Sequence, residues 1–242
     1  PGTGRVYVLI DHFPGGIGQP NCWASTGFDE HGRRLLRDLD DGRYVVEPDG
    51  AVTTIEGQAT EFRVLDDGTV LRDGNPAGNI ELAPGADPAE TLLAIPTSYL
   101  QIAYSDDDGL TWSRPRDLNP ELKQPWMRFL GTCPGNGIAL RNGPHAGRLI
   151  VPLYFNNDQN WLAMCATVAY SDDHGETWQL GHGPNEGRQT PQGELDPQTF
   201  VDETWSLHEA AVVERQDGVL VLFMRNQHPR GRVAVSESHD AG

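Results

Sequence analysis

A hairpin near the end of the chain carries an acid and a guanidinium whose types and spacing could do chemistry. Glu209 lies sixteen residues before Arg225, and the segment between them turns at Gln216-Asp217-Gly218. A carboxylate can act as a base, and a planar guanidinium binds an anionic group through two parallel hydrogen bonds. A three-residue turn ending in a left-handed glycine pairs Arg215 with Val219 and places Glu209 opposite Arg225 on one face. A two-residue Asp-Gly turn would place them on opposite faces.

The pair has two interpretations. An exposed cross-strand ion pair is common in sheets and contributes little to stability. Against that, Ala-Ala-Val-Val follows Glu209 and Val-Leu-Phe-Met precedes Arg225. A charge pair among apolar residues costs desolvation free energy, so these flanks favour a buried, functional pair.

A repeated motif, Ser-x-Asp-x-Gly-x-Thr-Trp, supplies the elements that must position this pair. It occurs twice and begins a third time, with its serines 66 and 67 residues apart. Such a period indicates an array of similar units, and each copy predicts a β-hairpin turn. The carboxylates should fold back on their own turns, with a Trp packed beneath and a glycine at positive φ. The motif residues are Ser105, Asp107, Gly109, Thr111, Trp112, Ser171, Asp173, Gly175, Thr177, Trp178, Ser238, Asp240 and Gly242.

A calcium loop is the alternative for these acidic turns. Placing Gly109 at position six of an EF-hand puts Tyr104 at position one and Pro115 at position twelve, where carboxylates are required. Gly175 fails in the same way, because Tyr170 would be first. We therefore expect structural turns without metal.

The motif is the Asp box, and the sequence resembles the bacterial sialidases (neuraminidases) of glycoside hydrolase family 33. Asp boxes alone occur in other propellers, but the resemblance covers most of the chain and is weakest between about Phe28 and Ile95. It extends through Thr97–Tyr104, Trp126–Gly131, Gly147–Pro152 and Glu209–Glu214. The resemblance implies an all-β fold, part of a six-bladed β-propeller with a small irregular β-domain inserted. We assign residues 1–28 and 96–242 to propeller blades and 29–95 to the insertion.

The resemblance also assigns site residues. Glu209 matches the glutamate that activates a tyrosine nucleophile, and Arg225 matches the second of three arginines that bind the substrate carboxylate. Tyr154 matches a tyrosine that lines the sialic acid site, and Phe129 an aromatic near the glycerol or aglycone side. Core packing is the alternative for both aromatic residues. The side chain of Asp11 could in principle act as a catalytic acid. It lies in a strand-to-turn segment, however, and we interpret it as structural.

The remaining catalytic residues of the family have no counterpart in the chain. The first arginine and the acid/base Asp would precede Pro1, and the nucleophilic Tyr and third arginine would follow Gly242. We therefore interpret the sequence as part of a longer exo-α-sialidase and expect these 242 residues alone to be inactive. Two alternatives are a non-catalytic Asp-box propeller that binds glycans or proteins, and a trans-sialidase, including the intramolecular kind.

The amino-acid composition restricts the classes of binding partner. The 35 acidic and 18 basic residues give a net charge of −17, which disfavours nucleic acids and anionic membrane surfaces. With 28 Gly and 18 Pro, the chain is rich in turns. Three isolated cysteines argue against zinc ribbons and disulfide scaffolds, and no apolar run is long enough to span a membrane. We expect sialylated glycans as the partners, no metal or organic cofactor, and a secreted or cell-surface parent protein.

Overall fold

The computed structural model describes residues 4–85 and 92–242, and β-strands dominate it. The first strands are β1 (Val6–His12), β2 (Leu35–Arg37), β3 (Arg43–Val46), β4 (Ala51–Thr54), β5 (Ala59–Val64), β6 (Thr69–Arg72), β7 (Asn75–Asn79), β8 (Leu93–Ala94), β9 (Tyr99–Ser105) and β10 (Arg116–Asp117). A short α-helix, α1, spans Asn119–Leu122. The remaining strands are β11 (Met127–Thr132), β12 (Ile138–Ala139), β13 (Leu149–Asn157), β14 (Met164–Ser171), β15 (Gln179–Leu180), β16 (Gln189–Thr190), β17 (Gly193–Glu194), β18 (Leu207–Glu214), β19 (Leu220–Asn226) and β20 (Ala234–Ser238).

Three antiparallel sheets share one plan. Their strand orders are β1-β9-β10, β11-β13-β14-β15 and β18-β19-β20, and β12 pairs with β13. An Asp box begins at the last residue of β9, β14 and β20, so these three strands are equivalent. By the same alignment β1, β13 and β19 are equivalent, as are β11 and β18. The sheets are therefore repeated blades, which confirms the predicted all-β fold and partial propeller.

Apolar side chains join neighbouring blades. The first and second blades share a core that includes Leu100, Leu130 and Leu153. The second and third share another, which includes Ile150 and Met224. In residues 4–85 and 92–242, the helical segments are too short or too polar to cross a membrane.

The stretch between β1 and β9 forms a sheet of its own. Seven short strands run in the order β7-β6-β5-β4-β3-β2-β8, a meander closed by β8, with register shifts in two of its pairings. Leu36, Val52 and Val70 are the centre of its separate core. This sheet falls within residues 29–95, the predicted insertion, whose boundaries remain a prediction.

The Asp boxes fold locally as their sequence predicts. Asp107 accepts hydrogen bonds from the backbone N of Thr111 at 2.8 Å and from its Oγ1 at 2.6 Å. Asp173 bonds to Thr177 in the same way, at 2.9 and 2.6 Å. These donors stabilise the ionised form and lower the pKa of both carboxyl groups to about 2. Gly109 adopts φ +86° and Gly175 φ +88°.

Both box tryptophans pack against their own turns, as predicted: Trp112 Nε1 donates to Gly109 O and Trp178 Nε1 to Gly175 O, each at 3.1 Å. Their exposure differs. Trp178 is only 3% exposed and joins the core between the first two blades, but Trp112 is 46% exposed. Trp178 packs in a core with Leu118 and Leu122, and Glu121 of α1 accepts a hydrogen bond from its backbone N at 2.8 Å. Packing against the turn is therefore common to both boxes, whereas burial in the shared core belongs to the second box.

Candidate active site

Strand direction brings the predicted site residues to one end of the blades. The equivalent strands β1, β13 and β19 run toward this end, and their final halves carry Asp11, Tyr154 and Arg225. Strands β11 and β18 begin there, with Phe129 and Glu209 in their first halves. Ring and charge contacts described below join these side chains, so the topology assembles a site from three separate blades.

Glu209 and Arg225 form the predicted ion pair. Arg225 Nη1 donates to Glu209 Oε1 at 3.0 Å and to Oε2 at 2.9 Å. The backbone differs from the prediction, because Arg225 pairs with His208 and not with Glu209. The predicted register holds from Glu214 to Ala211 and then shifts by one residue at a β-bulge. Glu209 lies in that bulge with φ +47°, a conformation that costs a non-glycine residue free energy.

The prediction that this pair is buried is wrong. The Glu209 side chain is 37% exposed and that of Arg225 is 56% exposed. Alternation along β19 explains the error: Met224 is 1% exposed, whereas Phe223 is 43% exposed on the same face as Arg225. The apolar residues before Arg225 therefore point to both faces of the strand, and only those on one face are buried in the core.

Tyr154 lies between the two strands that begin at this end. Its ring centroid is 6.0 Å from that of His208 and 5.0 Å from that of Phe129. Its hydroxyl accepts a hydrogen bond from Gln19 Nε2 at 2.8 Å. Burial raises the pKa of Tyr154, and the nearby charges of Asp11 and Glu209 act in the same direction. Tyr154 is therefore a neutral phenol at the site.

Phe129 packs against Tyr154 inside the protein. It is 1% exposed and stacks on Phe13 with an interplanar angle of 4°. A side chain this buried presents almost no surface to a ligand, so its direct contact with substrate remains a prediction. Gly131, which pairs with Tyr154, is required by the same packing: a Cβ there would lie 2.2 Å from Phe129 Cζ and 2.8 Å from Asp11 Oδ2.

Sequence reasoning missed two residues of this site, Gln19 and His208. Asp11 has contacts that agree with its interpretation as structural: it accepts hydrogen bonds from Thr132 N at 2.9 Å and Thr132 Oγ1 at 3.2 Å. Burial raises its pKa, and both bonds oppose that effect. The charge of Asp11 also contributes to the raised pKa of Tyr154. In the sequence, only its position next to Glu209 could have indicated that His208 belongs to the site. Nothing in the sequence indicated Gln19.

The charge arrangement suits recognition of an anion. Arg225 uses only Nη1 toward Glu209, and within the described residues no hydrogen bond engages its Nε or Nη2. Desolvation lowers the pKa of His208, whose Nδ1 lies 3.9 Å from Glu209 Oε1. The described ranges contain no cluster of three His, Cys, Asp or Glu side chains that could hold a metal ion. One edge of the guanidinium is therefore available to bind a carboxylate.

Comparison with known proteins identifies the family of this chain. A family model described as a BNR repeat-like domain matches residues 89–242. An anhydrosialidase of Macrobdella decora is 31% identical over 92% of this chain and 30% of its own length. A sialidase of Micromonospora viridifaciens is 34% identical over 66% of this chain and 21% of its own length.

Solved structures give the same result along the whole chain. The intramolecular trans-sialidase from Ruminococcus gnavus in complex with oseltamivir carboxylate superposes with a TM-score of 0.75 at 29% identity, covering 99% of this chain and 50% of that one. A leech intramolecular trans-sialidase complexed with 2,7-anhydro-Neu5Ac gives a TM-score of 0.74 at 26% identity, covering 99% and 36%. The chain thus spans half or less of these relatives, and it belongs to the BNR repeat-like domain family, with bacterial sialidases among its relatives.

Proposed function

We propose that this chain forms part of the active site of an exo-α-sialidase. In this proposal Arg225 binds the carboxylate of a terminal sialic acid through the guanidinium edge that Glu209 does not occupy. The supporting observation is the ion pair itself, in which both Glu209 oxygens contact one nitrogen of Arg225. The bulge at Glu209 turns its side chain toward that nitrogen at the cost of backbone strain.

Glu209 would act through a tyrosine supplied by the rest of the protein. A phenol has a pKa near ~10 and needs an adjacent base to become a nucleophile. A neutral nucleophile also suits an anomeric carbon that carries a carboxylate, because an anionic one would be repelled. The proposed reaction is retaining hydrolysis, with an Asp from outside the chain as the proton donor and two further arginines around the substrate carboxylate.

The proposed substrates are terminal α-linked sialic acids of glycoproteins, glycolipids and oligosaccharides. Tyr154 would line the sugar site with its partly buried ring, held by the hydrogen bond from Gln19. Because the chain has a net charge of −17, its long-range electrostatic field repels an anionic sugar. Binding such a sugar therefore requires a local positive charge. We also propose that the parent protein is secreted or displayed at the cell surface, where such glycans occur.

Replacing Glu209 by Gln in the full-length protein tests the proposal. Turnover of a fluorogenic sialoside should fall by about 100-fold or more, because the base is lost while the shape is kept. Glu214→Gln is the matched control: it lies on the same strand, at the far end, where it accepts hydrogen bonds from Arg141 N and Asn142 N. Unchanged turnover by a folded Glu209→Gln protein would reject the catalytic role and favour a non-catalytic glycan-binding propeller.

Intramolecular trans-sialylation is the second candidate. It is supported by the named activities of the two relatives with TM-scores of 0.75 and 0.74. Mass spectrometry of the released sugar distinguishes the two reactions, because an anhydro product is lighter by one water than free sialic acid. Free sialic acid as the first product would leave hydrolysis as the reaction.

A further inference from the structure

A second cavity opens beside the candidate site. Its volume is about 440 Å³, and Leu207 and Asn226 form part of its wall. These two residues pair across β18 and β19 and are the direct chain neighbours of His208 and Arg225. The cavity therefore lies at the same end of the blades as the Glu209–Arg225 pair, one residue further along both strands.

Three arginines line this cavity, and no carboxylate does. They are Arg188, Arg230 and Arg232. Within the described parts of the chain, none of the three forms a salt bridge, whereas Arg225, the neighbour of Asn226, forms one with Glu209. The three guanidinium groups give this cavity a positive local charge in a chain with 35 acidic residues. A positively lined hollow raises the local concentration of anions.

The wall of the cavity is held in place before any ligand binds. The Arg188 guanidinium lies 5.0 Å from the Trp205 ring centroid and donates from Nη1 to Asn185 Oδ1 at 3.1 Å. Asn185 is fully buried and donates to Trp205 O at 3.1 Å. The ring of His228 lies 5.6 Å from that of Trp205. Arg188 is thus fixed by an aromatic ring and an amide, and partial burial lowers its pKa.

We propose that this cavity binds an acidic sugar residue adjacent to the terminal sialic acid. The inference rests on the proposed sialidase function, since the terminal sugar is what places the next one here. A carboxylate or a sulfate ester would both satisfy the guanidinium groups, because each offers paired oxygens to a planar fork of donors. The ligands are therefore glycans with a second sialic acid or a sulfated sugar next to the one released.

Three substrates test the proposal with the full-length protein. They are sialyllactose, disialyllactose and a sialylated, sulfated lactosamine, which present a neutral, a carboxylate and a sulfate neighbour. We expect the two acidic substrates, or one of them, to have the higher kcat/KM. The variant Arg188→Gln/Arg230→Gln/Arg232→Gln should lower kcat/KM on the preferred acidic substrate about 10-fold and change it less than about 2-fold on sialyllactose.

The control variant removes the same number of charges elsewhere. Arg63→Gln/Arg72→Gln/Arg141→Gln alters arginines that do not line the cavity, and it should leave the preference for acidic substrates unchanged. Equal losses in the two triple variants would mean that general charge, and not the cavity, sets the preference. Equal kcat/KM on all three substrates by the unmodified protein would overturn the proposal.

Direct binding separates this proposal from the proposed activity. Sulfated lactose, which has no sialic acid, should bind the protein in calorimetry, and the affinity should fall with added salt and in the cavity variant. This result would support the cavity even in a protein that releases no sialic acid. Absence of binding, or equal binding by the cavity variant, would reject it.

Discussion

The carboxylate of Glu209 contacts Arg225 although its own backbone does not face it. Both Glu209 oxygens lie within 3.0 Å of Arg225 Nη1, while the backbone of Arg225 pairs with His208. The left-handed bulge at Glu209 allows the side-chain contact and the shifted backbone pairing to occur together. A strand without the bulge would pair the two residues directly, and it would leave His208 without its position beside Tyr154.

The bulge predicts that two inactive variants at position 209 differ in stability. At φ +47°, a glycine at position 209 avoids the Cβ strain that glutamate and alanine both experience. We expect Glu209→Gly to be about 1 kcal/mol more stable than Glu209→Ala, and both to have lost activity. Chemical denaturation of the two variants measures the difference. Equal stability would show that the backbone at this position is not strained.

The two box tryptophans should contribute unequally. Trp178→Ala empties a site in the shared core and should cost about 3–5 kcal/mol, whereas Trp112→Ala removes a half-exposed ring and should cost about 1 kcal/mol or less. The same chemical change in two copies of one motif makes them matched controls. Equal losses of unfolding free energy would contradict the burial that distinguishes these residues.

The second box should lose its stabilising effect in acid. The pKa of Asp173 is lowered to about 2, so the stabilisation from its carboxylate is fully present above the unfolded pKa of ~3.9. It should disappear as the pH falls from about 4 to about 2. The difference in stability between the unmodified protein and Asp173→Asn, measured across this range, should shrink accordingly. A difference that stays constant down to about pH 2 would contradict the lowered pKa.

Lys123 gives a pH dependence of the same sign in a higher pH range. It is the single lysine of the chain, 3% exposed, and its Nζ donates to Thr97 Oγ1 at 2.6 Å and Arg128 O at 2.9 Å. Burial lowers its pKa from 10.5 to about 7, so the unfolded chain binds more protons between these values. Stability should therefore rise with pH from about 7 to about 10.

Lys123→Met isolates this effect. The variant loses the hydrogen bonds and should be less stable overall, but the rise contributed by the amine should be absent. Urea unfolding at several pH values measures both slopes. Parallel curves for the two proteins would show that the amine titrates normally.

Local patterns predicted the blades well because their causes are local. The Ser, Asp and Gly of each box determine their own turn, and the valine-rich segments around residues 207–226 form the expected hairpin. The bulge at Glu209 and the exposure of Trp112 could not be predicted, since each depends on contacts with other blades or on α1. The cavity beside Asn226 was equally hidden, because its three arginines come from two loops, with Arg188 before β16 and both Arg230 and Arg232 between β19 and β20.

A double-mutant cycle of Glu209 and Arg225 tests the central claim most directly. In the full-length protein, Glu209→Gln and Arg225→Gln should each lower kcat/KM on a sialoside about 100-fold or more, and the double variant should be little worse than either. That result would show that the two side chains act as one unit on the substrate. Losses that multiply, or single variants with full activity, would contradict it.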